Sequence, residues 1–115
     1  MAIEAQIGLF LHYAKQFVNK NGIIFIPRDQ NVQYMASVGM TIKDLEELVF
    51  ALDAVDCVRG PEPDKDPKRA AHWTVAIFHP KHNGVELYLK ISIRIDEERC
   101  RCISIKLSDH GENHE

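Results

Sequence analysis

Residues 85–107 read VELYLKISIRIDEERCRCISIKL, two alternating segments on either side of an acidic turn. In the first, Val85, Leu87, Leu89, Ile91, Ile93 and Ile95 are apolar, and Glu86, Tyr88, Lys90, Ser92 and Arg94 stand between them. Side chains of a strand point to opposite faces in turn, so the odd set predicts a core face and the even set an outward one. The second segment keeps this parity at Ile103, Ile105 and Leu107, with Ser104 and Lys106 between. If the odd residues of both strands share a face, paired positions sum to an even number. A three-residue turn at 96–98 pairs Ile95 with Arg99, sets Tyr88 opposite Lys106 and sets Lys90 opposite Ser104. A slip by two residues sets Lys90 opposite Lys106. Either register gathers a tyrosine and two lysines on the outward face, with Arg94 farther along it. Such a face suits phosphate binding.

Before this hairpin, residues 73–79 read as a strand, with Trp73, Val75 and Ile77 expected in the core and Phe78 outward, where it could stack a base. Residues 80–84, PKHNG, read as the connecting turn. The Pro- and charge-rich segment 60–71 reads as a loop whose Lys65, Lys68 and Arg69 could touch a nucleic-acid backbone. Farther upstream, Ile7, Phe10, Leu11, Ala14, Phe17 and Val18 recur at three- and four-residue spacings, predicting an amphipathic helix over 3–20. Residues 23–26, IIFI, read as a short strand cut off by Pro27. Helices are expected over 28–38 and 42–52, the latter capped by Thr41 with Asp44 at N3. The result is an α+β class: N-terminal helices packed on a small antiparallel β-sheet in a single domain, residues 1–108. Residues 109–115, DHGENHE, are expected to be a disordered acidic tail.

The 115 residues contain no apolar run near the roughly 20 residues of a membrane span, so no membrane partner is expected. The N-terminus has no basic segment before its apolar part, and no secretory signal is expected. Cys57, Cys100 and Cys102 make an odd number without a pairing pattern, which fits a reducing, cytoplasmic location. The net charge of −3 is unevenly spread. Residues 1–56 hold four Lys/Arg against seven Asp/Glu, and residues 57–108 hold ten against seven. A basic sheet region between acidic segments can still bind an anionic partner.

The segments Met40-Thr41-Ile42-Lys43-Asp44-Leu45, Asp56-Cys57-Val58-Arg59-Gly60-Pro61, and Val85-Glu86-Leu87-Tyr88-Leu89-Lys90-Ile91 with Ile103-Ser104-Ile105-Lys106 carry a resemblance. Together with Trp73, they make the chain similar, over about residues 7–107, to the MqsR-like toxins of type II toxin–antitoxin systems. The resemblance implies a RelE-like mRNA interferase fold and a ribosome-independent endoribonuclease. Such an enzyme cuts single-stranded mRNA at short sequences without metal or other cofactor, and a cognate antitoxin protein neutralises it. Carried over, the active-site tyrosine falls on Tyr88 and the C-terminal lysine on Lys106. Arg59 stands where the family has lysine, and Thr74 where it has glutamine. Arginine can clamp a phosphate but is a poor proton donor, and threonine lacks the paired donor and acceptor of an amide.

Metal-free RNA cleavage uses the neighbouring 2′-OH as nucleophile. It needs an acceptor for the 2′ proton, cations for the dianionic phosphorane and an acid for the 5′ leaving oxygen. Tyr88 and Lys106 are the expected proton carriers, while Arg59, Lys90 and Arg94 supply charge. His72, His79 and His82 cluster around the strand and turn, where exposed histidines are the simplest reading and acid–base work the sharper one. Two non-catalytic alternatives stand beside this reading, a protein-interaction domain and a plain RNA-binding domain.

Overall fold

The structure is a computed structural model, and it describes residues 3–108. The acidic tail 109–115 lies outside the described residues. In chain order the elements are α1 (Ile3–Asn21), β1 (Ile24–Phe25), α2 (Asp29–Val38), α3 (Ile42–Phe50), a 3-10 turn (Ala54–Asp56), β2 (Cys57–Pro63), β3 (Thr74–Phe78), β4 (Lys81–His82), β5 (Val85–Arg94) and β6 (Arg99–Leu107). The strands form one sheet in the order β1-β6-β5-β3-β2, with β4 added to β5. The α+β class is as expected, but the sheet is mixed. β1 runs parallel to β6, pairing Ile24 with Arg101 and Phe25 with Cys102.

One face of the sheet is covered by α1, whose periodic residues Phe10, Leu11, Ala14, Phe17 and Val18 are all buried. They meet Phe78, Leu87, Leu89, Ile91, Ile93, Cys100, Cys102 and Ile105 in one core. At about 25 cal/mol per Å² of apolar surface removed from water, this layer is the main stabilising contribution. Thr41 and Asp44 make the expected capping box, with Asp44 N–H donating to Thr41 Oγ1 at 3.1 Å and Thr41 N–H donating to Asp44 Oδ2 at 2.9 Å.

The β5–β6 pairing has two registers. Tyr88 faces Lys106 and Lys90 faces Ser104, one of the two registers that parity allows. Beyond Lys90 the register shifts by one residue, so Ile91 faces Cys102 and Arg94 faces Arg99. The expected three-residue turn is therefore replaced by four residues, 95–98. The cause is a bulge at Ile103. It lets Cys100 and Cys102, at even positions, enter the core alongside Ile105 at an odd one.

Two further expectations change. The loop predicted from residue 60 begins later, since β2 continues through Gly60-Pro61 to Pro63 and pairs with β3 through two register shifts. As an edge strand it tolerates its prolines. Gly60 has φ +88°, and a Cβ there would meet the Val75 carbonyl oxygen at 2.6 Å. Within the predicted 80–84 turn, Lys81 and His82 pair with Glu86 and Val85 as β4. The turn itself is Asn83–Gly84, with φ values of 55° and 81° that suit a two-residue hairpin connection.

Candidate functional site

The face of the sheet opposite α1 carries the even residues of β5. Across it, β3 pairs with β5 so that Ile77 faces Lys90 and Val75 faces Ser92. These pairs sum to an odd number, so β3 presents its odd residues outward and its even ones to the core. This overturns two expectations. Phe78 is fully buried, with its ring centroid 6.0 Å from that of Phe10, and offers no stacking surface. Trp73 stands half-buried on the open side, where the Arg101 guanidinium carbon lies 4.1 Å from its ring centroid.

Tyr88 and Lys106 are direct cross-strand partners, and the Lys106 Nζ lies 4.9 Å from the centre of the Tyr88 ring. The quadrupole of the ring attracts the ammonium and holds it over the phenol. Tyr88, Lys90 and Arg59 line one cleft of about 180 Å³, together with Lys65 from the loop after β2. Val75 and Ile77 add apolar surface to it, and the carboxylates of Glu62 and Asp64 also line it. Arg59 Nε donates to Glu62 Oε2 at 3.0 Å, which offsets part of its charge. Lys90 and Lys106 have no carboxylate within ion-pair distance among the described residues.

Beside this group stands a histidine that sequence reasoning left among exposed turn residues. The His79 ring centroid is 6.0 Å from that of Tyr88, and its Nδ1 lies 3.4 Å from Glu86 Oε2. That oxygen is shielded from solvent and accepts no well-formed hydrogen bond among the described residues. The backbone N–H of His79 donates to the Asp56 carbonyl at 2.8 Å, fixing the start of the β3–β4 connection. No local motif announced the pair, because it depends on Glu86 and Tyr88 lying on one face of β5 beside the end of β3.

Two predicted site residues lie elsewhere. Thr74 is on the α1 side of β3 and lines a groove with Leu9, Tyr13 and Ile95. Arg94 is at the far end of β5, where its Nε donates to Asp96 Oδ1 at 2.8 Å and its Nη2 lies 3.3 Å from Glu97 Oε2. Those two carboxylates occupy the guanidinium that was expected to face phosphate. Thus Tyr88, Lys106, Lys90 and Arg59 come together, and Thr74 and Arg94 do not join them.

Between the cleft and Arg94 the open face is filled. Arg101 Nε donates to Ser92 Oγ at 3.1 Å, and its Nη2 lies 3.7 Å from Asp64 Oδ2. Arg69 Nε donates to the same Asp64 oxygen at 3.3 Å, and the Asp66 N–H donates to Asp64 Oδ1 at 2.9 Å. Burial opposes ionisation of Asp64, but these donors outweigh it and hold the carboxyl below its ordinary range. On the β6 side, Arg28 Nη1 approaches Ser104 Oγ at 3.4 Å.

The cysteines are not poised as nucleophiles. Burial pushes the Cys100 and Cys102 thiols up to about 12, and burial also raises that of Cys57, against a contact from its Sγ to the Arg59 carbonyl. Among the described residues, no three His, Cys, Asp or Glu side chains are grouped to hold a metal ion. No helix there is long and apolar enough to cross a membrane.

The chain matches no family model, no curated protein and no solved structure.

Proposed function

We propose that the open sheet face binds single-stranded mRNA and cleaves it without metal, as an MqsR-like toxin restrained in the cytoplasm by a cognate antitoxin. The observation that carries this reading is the Tyr88–Lys106 pair, whose tyrosine lines one cleft with Lys90 and Arg59. In the proposed step the substrate 2′-oxygen attacks the adjacent phosphorus and the 5′-oxygen departs with a proton. A 2′,3′-cyclic phosphate and a free 5′-hydroxyl remain. Lys90 and Arg59 offset the charge that grows on the equatorial oxygens. Of Tyr88 and Lys106, one in its deprotonated form accepts the 2′ proton and the other, protonated, gives its proton to the leaving 5′-oxygen.

A second reading is binding without cleavage. It is favoured by the Arg59–Glu62 pair and by the placement of Thr74 on the covered face. Induced expression in a bacterium separates the two. The enzyme reading expects growth arrest with mRNA cleavage, reduced at least a hundredfold in Tyr88→Phe and Lys106→Ala, since proton transfer typically contributes 10²–10⁴-fold. RNA binding by a folded wild type that leaves transcripts whole would replace the enzyme with the binding domain.

A further inference from the structure

A strand of RNA leaving the Tyr88 cleft has few open directions. Toward the β5–β6 turn the face is closed by the Ser92–Arg101–Asp64 network, in which Ser92 is fully buried. Past that network Arg94 is already neutralised by Asp96 and Glu97. Toward the other end of β5 stands the Glu86 carboxylate, paired with His79 and facing Lys81 of β4 across the strands. Two routes run sideways, across the strands. On one side the route reaches Arg59 on β2. On the other it crosses β6 and reaches Arg28, at the start of α2.

Arg28 is exposed, and its side chain makes one polar contact among the described residues, to Ser104. No carboxylate lies within 4 Å of its guanidinium among those residues. Asp64, the buried carboxylate on this face, is shared by Arg69 and Arg101. Ser104 is the β6 partner of Lys90, so Arg28 lies just across β6 from the cleft. The sheet order β2-β3-β5-β6 puts Arg59 and Arg28 at the two ends of this line. Three strand spacings separate β2 from β6, about 14 Å at about 4.8 Å each. One phosphate makes hydrogen bonds over about 3 Å, so it cannot serve both ends.

We propose that Arg28 forms a second phosphate subsite, flanking the one that Arg59 bounds in the Tyr88–Lys90 cleft, and that single-stranded RNA crosses the sheet from β2 to β6. This rests on the RNA-binding reading above and deepens it. The substrate class becomes an oligonucleotide gripped at a phosphate next to the reacting one, rather than a mononucleotide or dinucleotide.

The test uses the full chain and probes that cannot be cleaved: a 2′-O-methyl oligoribonucleotide of about eight nucleotides and a 2′-O-methyl dinucleotide with a single phosphate. Fluorescence anisotropy is read over a salt series. Arg28→Ala is expected to weaken the longer probe about five- to tenfold and to flatten its salt slope by about 0.7, the value of one lost phosphate contact on a single strand. The ratio of the two affinities then falls, Arg28→Lys recovers most of the loss, and Arg28→Glu deepens it. The backbone of Arg28 accepts from Val32 N–H whatever its side chain, and unchanged thermal midpoints establish that the variants fold. Equal losses on both probes, or no loss on either while the wild type binds, would overturn the subsite. If the folded wild type shows no salt-dependent binding of the longer probe, the RNA-binding reading itself falls, and the subsite with it.

Discussion

Asn31 is fully buried, yet its amide is fully engaged with backbone. Its Nδ2 donates to the carbonyls of Ile26 and Ile103 at 2.8 and 3.0 Å, and its Oδ1 accepts from Ile105 N–H at 3.0 Å. β1 pairs with β6 only as far as Cys102, so Asn31 supplies from α2 the partners that a longer neighbour would have given the bulged strand. Replacing it by Leu leaves a buried N–H and a buried carbonyl without partners. Each such group costs about 1–3 kcal/mol, and the expected loss is about 2–4 kcal/mol in urea unfolding. Asn31→Asp keeps the acceptor and loses both donors, so it is expected to be no milder. Asp64 does similar work for the 64–73 loop, but with charge. Its carboxyl is depressed in the folded chain, so the stability it contributes is present above the unfolded Asp value of about 3.9 and is lost as pH falls through the folded one. Asp64→Asn is therefore expected to lower stability by about 1–3 kcal/mol at neutral pH. The same change should flatten the fall in stability below about pH 4, read from unfolding curves at several pH values.

At the scale of elements, β2 depends on Gly60. Its positive φ and the closeness of the Val75 carbonyl leave no room for a side chain, so Gly60→Ala must shift backbone in β2 or β3. A loss of more than about 1 kcal/mol is expected, together with faster amide exchange in β2 and weaker RNA binding through displacement of Arg59. How legible each strand was follows from its geometry. The shared outward face of Tyr88, Lys90 and Lys106 was readable, down to two registers, because alternation in β5 is unbroken and the 103–107 segment shares its parity. The turn end was not, because a bulge flips parity without leaving a clear mark in composition, and Cys100 and Cys102 read as neutral. β2 was invisible because Gly60-Pro61 breaks its pairing and hides any period of two. The facing of Trp73 and Phe78 was misjudged since both parities of β3 are apolar, and only pairing with Lys90 decides between them. Arg28 gave no signal, because its position on the face comes from α2 docking on β6.

For the whole molecule, net charge is a poor guide to what the open face attracts. Acidic residues dominate residues 1–56, and these form the helices, while the cleft belongs to the basic sheet region. At physiological ionic strength the Debye length is about 8 Å, so an exposed charge on the helical side is largely screened from a ligand on the other face. Glu47 is exposed on α3, and its side chain has no hydrogen bond or ion pair among the described residues. Glu47→Lys therefore changes the net charge by two units but should alter RNA affinity by less than about twofold near 0.15 M salt. Lys90→Glu makes the same size of change with opposite sign inside the cleft, and it should cost at least about tenfold. Dilution to about 0.01 M salt extends the screening length to about 30 Å, beyond the 27 Å short dimension of the fold. Under those conditions the Glu47→Lys protein should bind measurably tighter than the wild type, by anisotropy with the same non-cleavable oligonucleotide. A large effect of Glu47→Lys at 0.15 M would mean that the RNA contacts the helical side, and that the open sheet face is not the main binding surface.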